Sequence, residues 1–151
     1  MANPRANPYS NFNFIVEADG IGTLGAFSEV TGLDSENTPI EYREGADPTN
    51  APRKLPGIER YSNVQLKRGI TGSLALWNWR KQVRDGSSTL PPSATVRVKL
   101  LNENHDEGQP AMTWVLYGAW PTKIMGPSLN AKGNDIAIEQ VDLVVERLDI
   151  E

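Results

Sequence analysis

The sequence has no cysteine and a single histidine, His105, among its 151 residues. The lack of cysteine excludes disulfide scaffolds, thiolate zinc sites and cysteine nucleophiles. His105 lies in a segment rich in Asn, Asp and Glu, and its neighbours Asp106 and Glu107 would point in diverging directions, which is a poor geometry for metal binding. We therefore expect neither a metal nor a cofactor, and we expect His105 to be a solvated surface residue.

Basic charge and long apolar runs are also missing. Fifteen Lys and Arg residues stand against nineteen Asp and Glu residues, giving a formal net charge of -4. This balance argues against a broad basic face for duplex DNA or an anionic membrane, although it permits local basic patches. No apolar run approaches the roughly 20 residues of a membrane-spanning helix, and the first residues do not resemble a secretory signal. We expect cytoplasmic synthesis without a signal peptide and no membrane insertion.

Catalytic motifs are absent as well. The sequence contains no phosphate-binding loop, dinucleotide fingerprint, nucleophile elbow or zinc-protease helix. An acid and base pair could in principle be chosen among five carboxylates: Glu41, Glu44, Glu139, Asp142 and Glu146. Their alternation with apolar residues is explained more simply by the solvent face of a sheet. We expect that the protein is not an enzyme.

What the sequence does contain is period-2 alternation, which is typical of strands with one buried face. A hydrophobic fraction of 38% is enough for one modest core, so we expect a single domain over residues 1–151. Alternation, together with weaker or continuous apolar patterns at 23–30 and 114–119, predicts strands at residues 11–17, 23–30, 40–43, 64–67, 96–100, 114–119 and 136–147. These strands predict a mainly β fold, an antiparallel β-barrel or sandwich with one flanking α-helix and a long extended loop.

Three details refine this strand prediction. Asp19 and Gly20 supply a turn that makes the first two strands a hairpin. Residues 114–119 are apolar on both faces, which predicts a central strand. In the last strand, Ile136 and Ile138 have the opposite parity to the later apolar residues, and a bulge near Gln140 or burial of both faces would reconcile them.

One helix is predicted over residues 73–84, with Thr71 or Ser73 as its cap and Asp85-Gly86 at its end. Its apolar residues form two stripes. We expect the first stripe to pack on the chain's own sheet: Leu76, Trp79 and Val83. The second stripe is covered by another subunit or by a loop, or lies along the sheet edge: Leu74 and Trp77.

Residues 44–60 carry three prolines, two glycines and no periodicity. Loops longer than about 12 to 15 residues are uncommon in compact domains. We interpret this segment as a functional arm, with a solvent loop as the alternative. Polar residues elsewhere alternate with core residues, and they either face solvent in a monomer or line a polar lumen if sheet edges join in a ring: Glu41, Arg43, Gln65, Lys67, Arg97 and Lys99.

Five segments together resemble the tail-tube protein family of contractile phages and phage-derived contractile injection systems. They are FSEVTGL (27–33), EYREG (41–45), KLPGIERYSNVQLKRGIT (54–71), LWNWR (76–80) and AWPTKIMGPSLNAKGNDIAIEQVDLVVERLDI (119–150). The resemblance implies a β-barrel-like subunit with a flanking helix, which forms six-membered rings that stack into a hollow tube inside a contractile sheath. It implies as partners other copies of the chain, the sheath, baseplate or tube-initiator proteins, tube-terminating proteins and a cargo in the lumen.

The same resemblance implies that residues 44–60 are the arm that joins stacked rings. The candidate contacts in and beside this arm are Glu44, Asp47, Arg53, Lys54, Leu55 and Arg60. It also implies a protein made in the bacterial cytoplasm as part of a phage tail or injection particle, in which the cargo is phage DNA or an effector protein. The polar alternating residues then face either the lumen or the sheath and adjacent subunits.

Two alternatives to a main tube subunit stay open. One is a tube-initiating paralogue near the baseplate, which can be of similar size. The other is a stand-alone β-barrel that binds a carbohydrate or another ligand in a pocket framed by four aromatic residues, Trp77, Trp79, Trp114 and Trp120.

Overall fold

The computed structural model of the protein describes residues 4–24, 27–86 and 93–151. Within these ranges the chain forms ten strands and one helix. The elements are β1 Phe14–Ala18, β2 Gly22–Thr23, β3 Glu29–Thr31, β4 Ser35–Tyr42, β5 Arg53–Tyr61, β6 Val64–Gly69, α1 Ala75–Asp85, β7 Ala94–Leu100, β8 Met112–Met125, β9 Ile138–Val144 and β10 Arg147–Ile150. Each strand pair described is antiparallel. The predicted fold class, mainly β with a flanking helix, is confirmed.

The longest strand, β8, organises the main sheet. Eight strands belong to this sheet, in the order β2-β1-β7-β8-β9-β6-β3, with β10 also paired to β8. The first half of β8 pairs with β7 and β10, whereas β9 pairs with it from Trp120 onward. Gly118 marks the change: it has a φ of 64°, and a Cβ at this position would lie 2.8 Å from the Glu146 side chain. The predicted central strand at residues 114–119 is confirmed.

The core lies where the inward faces of this sheet meet α1. Strands β6 and β7 alternate between buried and more exposed residues, as the sequence predicts. Trp79 of α1 is fully buried among them. Burying an aliphatic or aromatic side chain of this size contributes about 1.5 to 3 kcal/mol. The largest fully buried apolar residues are Trp79, Leu24, Leu66, Leu116, Leu143, Val16, Val64, Val96, Val115 and Val141.

The predicted last strand is two strands, β9 and β10, separated at Val145 and Glu146. Ile136 lies before β9 and is 80% exposed, and Ile138 is 46% exposed, so neither belongs to the core. The predicted bulge near Gln140 and the predicted burial of both faces are therefore wrong. The irregularity in this pairing lies on β8 instead, between Pro121 and Lys123.

The predicted turn at Asp19 and Gly20 is confirmed, because β1 and β2 pair across it and Gly20 has a φ of 81°. The predicted strand over residues 23–30 is wrong. Strand β2 ends at Thr23, residues 25 and 26 lie outside the described residues, and β3 pairs with β6 rather than with β1. The residue after β2, Leu24, is buried in the core, which explains the apolar signal without a strand.

The predicted long loop at residues 44–60 is wrong in its structure. Residues 53–61 form β5, which pairs with β4 as a separate two-stranded sheet, and only residues 43–52 connect the two strands. We call this sheet, residues 35–61, the ribbon. Both of its faces are largely exposed, so burial imposes no period-2 pattern that the sequence could display.

The helix α1 runs from Ala75 to Asp85 and packs against β8. Its predicted end is confirmed, because Gly86 adopts a left-handed conformation and donates its N–H to the Gln82 carbonyl at 2.9 Å. Of the two predicted caps, Thr71 makes no hydrogen bond to the helix, whereas the Ser73 hydroxyl accepts a hydrogen bond from the Ala75 backbone N–H at 3.5 Å, although Ser73 does not occupy the N-cap position itself. Leu74 occupies the N-cap position without a side-chain hydrogen bond to the helix. No helix in the described part of the chain is long and apolar enough to cross a membrane.

Candidate assembly surfaces

The ribbon presents exposed apolar side chains on one face. Ile40 pairs with Leu55, and the two are 51% and 49% exposed. Tyr42 follows on the same face, and Ile58 beside Ile40 is 73% exposed. A two-stranded ribbon is at best marginally stable in water on its own. This face therefore has the composition of a surface that another chain covers.

The tip of the ribbon is ordered by polar contacts. Asp47 accepts a hydrogen bond from the Glu44 backbone N–H at 3.0 Å and pairs with Arg53, Nη2 to Oδ1, at 2.7 Å. The Tyr42 hydroxyl donates to Glu44 at 3.1 Å, and Arg43 Nε donates to the Thr49 carbonyl at 3.1 Å. The tip therefore presents a defined shape.

The structure brings together most of the predicted arm residues. Glu44, Asp47 and Arg53 meet at the tip, and Lys54 and Leu55 follow on β5. Arg60 is separated from them, because it pairs with Glu36 near the base of the ribbon.

Four of the predicted lumen residues lie on two separate strands of the main sheet. Lys67 of β6 pairs with Glu29 at 3.4 Å, and Gln65 of the same strand lies beside Thr31. On β7, Lys99 pairs with Glu17 at 3.1 Å. Strands β6 and β7 are separated by β8 and β9 in the main sheet, so these side chains form two polar strips whose ion pairs balance charge locally.

Arg97 of β7 joins the second strip. Its Nη1 lies 2.5 Å from Asp19 Oδ1, and this hydrogen bond raises the pKa of the guanidinium above its ordinary value. The sequence-based placement of Glu41 and Arg43 is wrong, because they lie in and beside β4 of the ribbon and not opposite core residues of the main sheet.

The helix separates its two apolar stripes. Leu76 and Trp79 are buried in the core, whereas Val83 is half-buried and lines a surface depression beside Trp120. Leu74 and Trp77 point away and are 62% and 46% exposed. The second stripe is therefore uncovered in the described part of the subunit.

A basic groove separates the exposed side of α1 from the second half of β8. It encloses about 280 Å³. Its lining residues are Trp77, Arg80, Lys81, Arg84, Thr122, Lys123 and Ile124. This cluster was not predictable from the sequence, because its cations come from a helix and a strand that lie about 40 positions apart in the chain.

Arg68 is a buried residue that the sequence analysis missed. Its Nε donates to the Glu139 carboxylate, its Nη1 to the Leu24 carbonyl at 2.8 Å and its Nη2 to the Ser73 carbonyl at 3.1 Å. Arg68 thereby ties β6 to β9 and to the segment that leads into α1. The sequence pattern could have revealed it, because Arg68 lies two residues after Leu66 and therefore on the same, inward face of β6.

A catalytic or carbohydrate site finds little support in the geometry. Among the described residues, no group of three His, Cys, Asp or Glu side chains is placed to hold a metal. The four tryptophans do not frame a common pocket: Trp79 is buried, whereas Trp77, Trp114 and Trp120 line three different depressions. The predicted aromatic pocket is therefore wrong.

The main sheet ends at β2 and β3, and the described residues contain no pairing between these two strands. Together with the uncovered ribbon and helix stripe, this defines a class of protein: a β-rich subunit with surfaces suited to assembly. A sequence model of the family described as T4-like virus tail tube protein gp19 matches residues 10–149. The chain belongs to this tail tube family.

Solved structures agree with this assignment. The chain is 28% identical to a chain of the PVC sheath-tube complex of an extracellular contractile injection system, with a TM-score of 0.79 over 95% of this chain and 91% of that one. It is 26% identical to a chain of the anti-feeding prophage tube-terminating cap, with a TM-score of 0.80 over 100% and 95%. Hcp1 from Flavobacterium johnsoniae, at 12% identity and a TM-score of 0.52 over 92% and 94%, shares the fold alone. Comparison with curated protein sequences gave no significant match.

Proposed function

We propose that the chain is the main subunit of an inner tube, in which six copies close a ring and the rings stack inside a contractile sheath. The observation that carries this proposal is the ribbon, which keeps ordered strands and an ordered tip while leaving its apolar face uncovered. A protein that works as a monomer gains nothing from such a face, and an exposed hairpin of this kind is an aggregation hazard unless a partner covers it.

The ends of the main sheet support closure into a ring. Strand β2 has two residues and β3 has three, so each leaves backbone donors and acceptors at the edge of the sheet. An edge at one side of a subunit that pairs with a different edge of the next subunit is a heterologous contact, which closes into a ring when the rotation fits. The exposed helix stripe, Leu74 and Trp77, adds a candidate apolar contact between neighbours.

The ribbon supports stacking of the rings. We assign the contacts between rings to the ordered tip and the adjoining apolar face, namely Glu44, Asp47, Arg53, Lys54 and Leu55. Ile40 and Ile58 extend this surface toward the base. Arg60 contributes at the base, away from the other residues.

The two polar strips support a lumen. Gln65 and Lys67 on one strip, and Arg97 and Lys99 on the other, face away from the core and are balanced by nearby acidic or polar groups. A lumen with balanced charge would let a cargo pass without tight binding, whether that cargo is an effector protein or phage DNA. Glu41 and Arg43 belong to the ribbon and are assigned to assembly.

The partners proposed for this chain follow from its relatives. Chains similar to it come from structures described as a sheath-tube complex, a sheath/tube terminator and a tube-terminating cap. We assign the chain to the tube of an assembled particle that includes a sheath, a terminator and a baseplate. A tube-initiating role at the baseplate is the second candidate, and it predicts single rings that do not grow into tubes.

Electron microscopy of the purified protein over a range of concentrations tests the proposal. Main tube subunits should give six-fold rings and tubes of constant diameter, whereas an initiator should give rings only. Dispersed monomers at all concentrations, in the presence of a pre-formed baseplate as well as in its absence, would contradict both roles.

Paired variants test the ribbon itself. Ile40→Ser with Ile58→Ser should abolish tubes, because both side chains lie on the uncovered apolar face. Leu129→Ser with Ile136→Ser is the matched control, since these residues are 83% and 80% exposed outside the ribbon. Equal loss of tubes in both pairs would show that general surface hydrophobicity, and not the ribbon, drives assembly.

A further inference from the structure

The basic groove defined above is lined by four basic side chains, although the chain as a whole has a net charge of -4. Arg84 pairs with Asp85 at 2.8 Å. Arg80, Lys81 and Lys123 make no ion pair within 4.0 Å in the ranges that the structure describes, although Asp142 lies opposite Lys123 in the pairing of β8 with β9. The positive charges around the groove repel each other. Carboxylates placed among them would reduce this repulsion.

The shape of the groove favours a polypeptide segment over a small anion. Three of its cations lie on α1, and the fourth, Lys123, lies on β8, so both elements that form the groove contribute positive charge. Trp77 forms part of the wall, with the Arg84 guanidinium 5.9 Å from its ring centroid, and Ile124 adds apolar surface. Such a surface fits a polypeptide loop that carries exposed carboxylates.

The chain itself contains a segment with this chemistry, residues 102–110 between β7 and β8, which we call the acidic loop. Asn102 orders it, because its side-chain oxygen accepts from the Asn104 and Asp106 backbone N–H groups at 3.0 and 3.3 Å. Asp106 and Glu107 are exposed and have no ion-pair partner among the described residues. Glu103 is engaged by Arg5 at 2.7 Å.

The groove and the loop lie at the two ends of β8. The loop precedes Met112, where β8 begins, and the groove contacts β8 at residues 122–124. No residue of the acidic loop lines the groove of its own subunit. Complementary surfaces at different ends of one subunit are what a heterologous contact between copies requires.

We infer that the acidic loop of one copy docks in the basic groove of the next copy in the assembled tube, with Asp106 and Glu107 facing Lys81 and Lys123. This inference rests on the proposed function, because it requires assembly of the chain with itself. It adds an electrostatic contact that is separate from the apolar face of the ribbon.

Charge reversal and charge exchange test this contact in the full-length protein. Lys81→Glu should raise the protein concentration at which assembly begins by up to about fivefold, since an exposed ion pair contributes little per contact. Glu107→Lys should have a similar effect. The two substitutions combined in one chain should return the onset to within about twofold of the wild-type value, because opposite charges face each other again. Circular dichroism and thermal melting check that each variant folds.

The control is Lys132→Glu, a reversal of an exposed lysine outside the groove, which should leave the onset of assembly unchanged. An onset in Lys81→Glu equal to that of Lys132→Glu, or no recovery in the combined variant, would overturn the inference while leaving the tube function intact. Normal assembly of Lys81→Glu with lost capture of sheath protein would assign the groove to the sheath and would also overturn it. Absence of assembly by the wild-type chain would instead contradict the proposed function.

Discussion

The main sheet and the ribbon are both antiparallel, yet they obey different constraints. In the main sheet, β6 alternates buried and more exposed residues because one of its faces packs on Trp79 and the opposing strands. In the ribbon, all eight residues of β4 are exposed. The main sheet therefore obtains its stability from burial within its own chain, whereas the ribbon buries little of its surface within the chain.

Proline placement illustrates the same difference. Pro39 and Pro56 face each other across the ribbon, where the outer edges have no strand to pair with among the described residues. Proline lacks a backbone donor, so it is tolerated at such edges and would disrupt a central strand. Gly57 permits the close approach of the two strands, since a Cβ there would lie 2.1 Å from the Thr38 carbonyl oxygen.

The largest expected effect comes from the core of the main sheet. Trp79→Ala should lower the free energy of unfolding by about 3 to 5 kcal/mol, because the ring is fully buried. Trp77→Ala on the exposed stripe is the matched control and should lower it by only about 1 kcal/mol, because the ring is half-exposed. Chemical denaturation measures both. A soluble Trp79→Ala variant with an unchanged melting temperature would mean that the helix packs by another face.

Removing the ribbon should separate folding from assembly. We expect replacement of residues 37–59 by a short Gly-Ser linker to leave the β-type circular dichroism and the melting temperature of the monomer nearly unchanged, because this segment supplies none of the core cluster. The same variant should form no tubes by electron microscopy. An unfolded variant, or one that still forms tubes, would contradict the contrast between the two regions.

A smaller effect is expected from the polar strips of the main sheet. Changing Lys67 and Lys99 to Glu places like charges beside Glu29 and Glu17, which should cost roughly 0.2 to 1 kcal/mol per site. Rings should still form, and retention of cargo should change, if these strips line the lumen. Loss of ring formation in a variant that still folds would place the strips in an interface between subunits.

The smallest effect concerns pH. The hydrogen bond from Arg5 holds the pKa of the Glu103 carboxyl below its ordinary value. A carboxyl with a lowered pKa in the folded state stabilises the fold above its unfolded pKa, and this contribution is lost as the pH falls through the lowered value. Arg5→Gln should return the Glu103 pKa toward the ordinary range in a carboxyl NMR titration. An identical titration in both proteins would contradict the ion pair.

Those strands with one buried face were predictable from the sequence. Strands β6 and β7 and the centre of β8 match their alternating or continuous apolar runs, because burial imposed that pattern. The strand prediction failed where no face is buried, because burial then imposes no apolar pattern on the sequence. Most of the segment that forms β5 was predicted to be an aperiodic loop. Ile136 was predicted to belong to a buried strand face, although it is exposed.

The candidate surfaces were predictable only as segments. The sequence indicated that residues 44–60 form an arm, but their pairing with β4 depends on contacts between residues distant in the chain. The basic groove, and the contacts of Arg68, bring together residues from separate elements, and a local sequence pattern does not predict such contacts. Arg68 is an example: a single arginine in a strand is expected to face solvent unless the carbonyl groups that accept its hydrogen bonds are known.

The position of β8 in the chain has a consequence for synthesis. Strand β1 has no long-range partner until β7 emerges some 80 residues later, and the strand that joins the two halves of the main sheet follows only after residue 111. The ribbon, in contrast, pairs residues close in sequence and leaves the ribosome early. Translation therefore delivers the ribbon before the sheet that carries it, and the main sheet can be completed only after β8 has emerged.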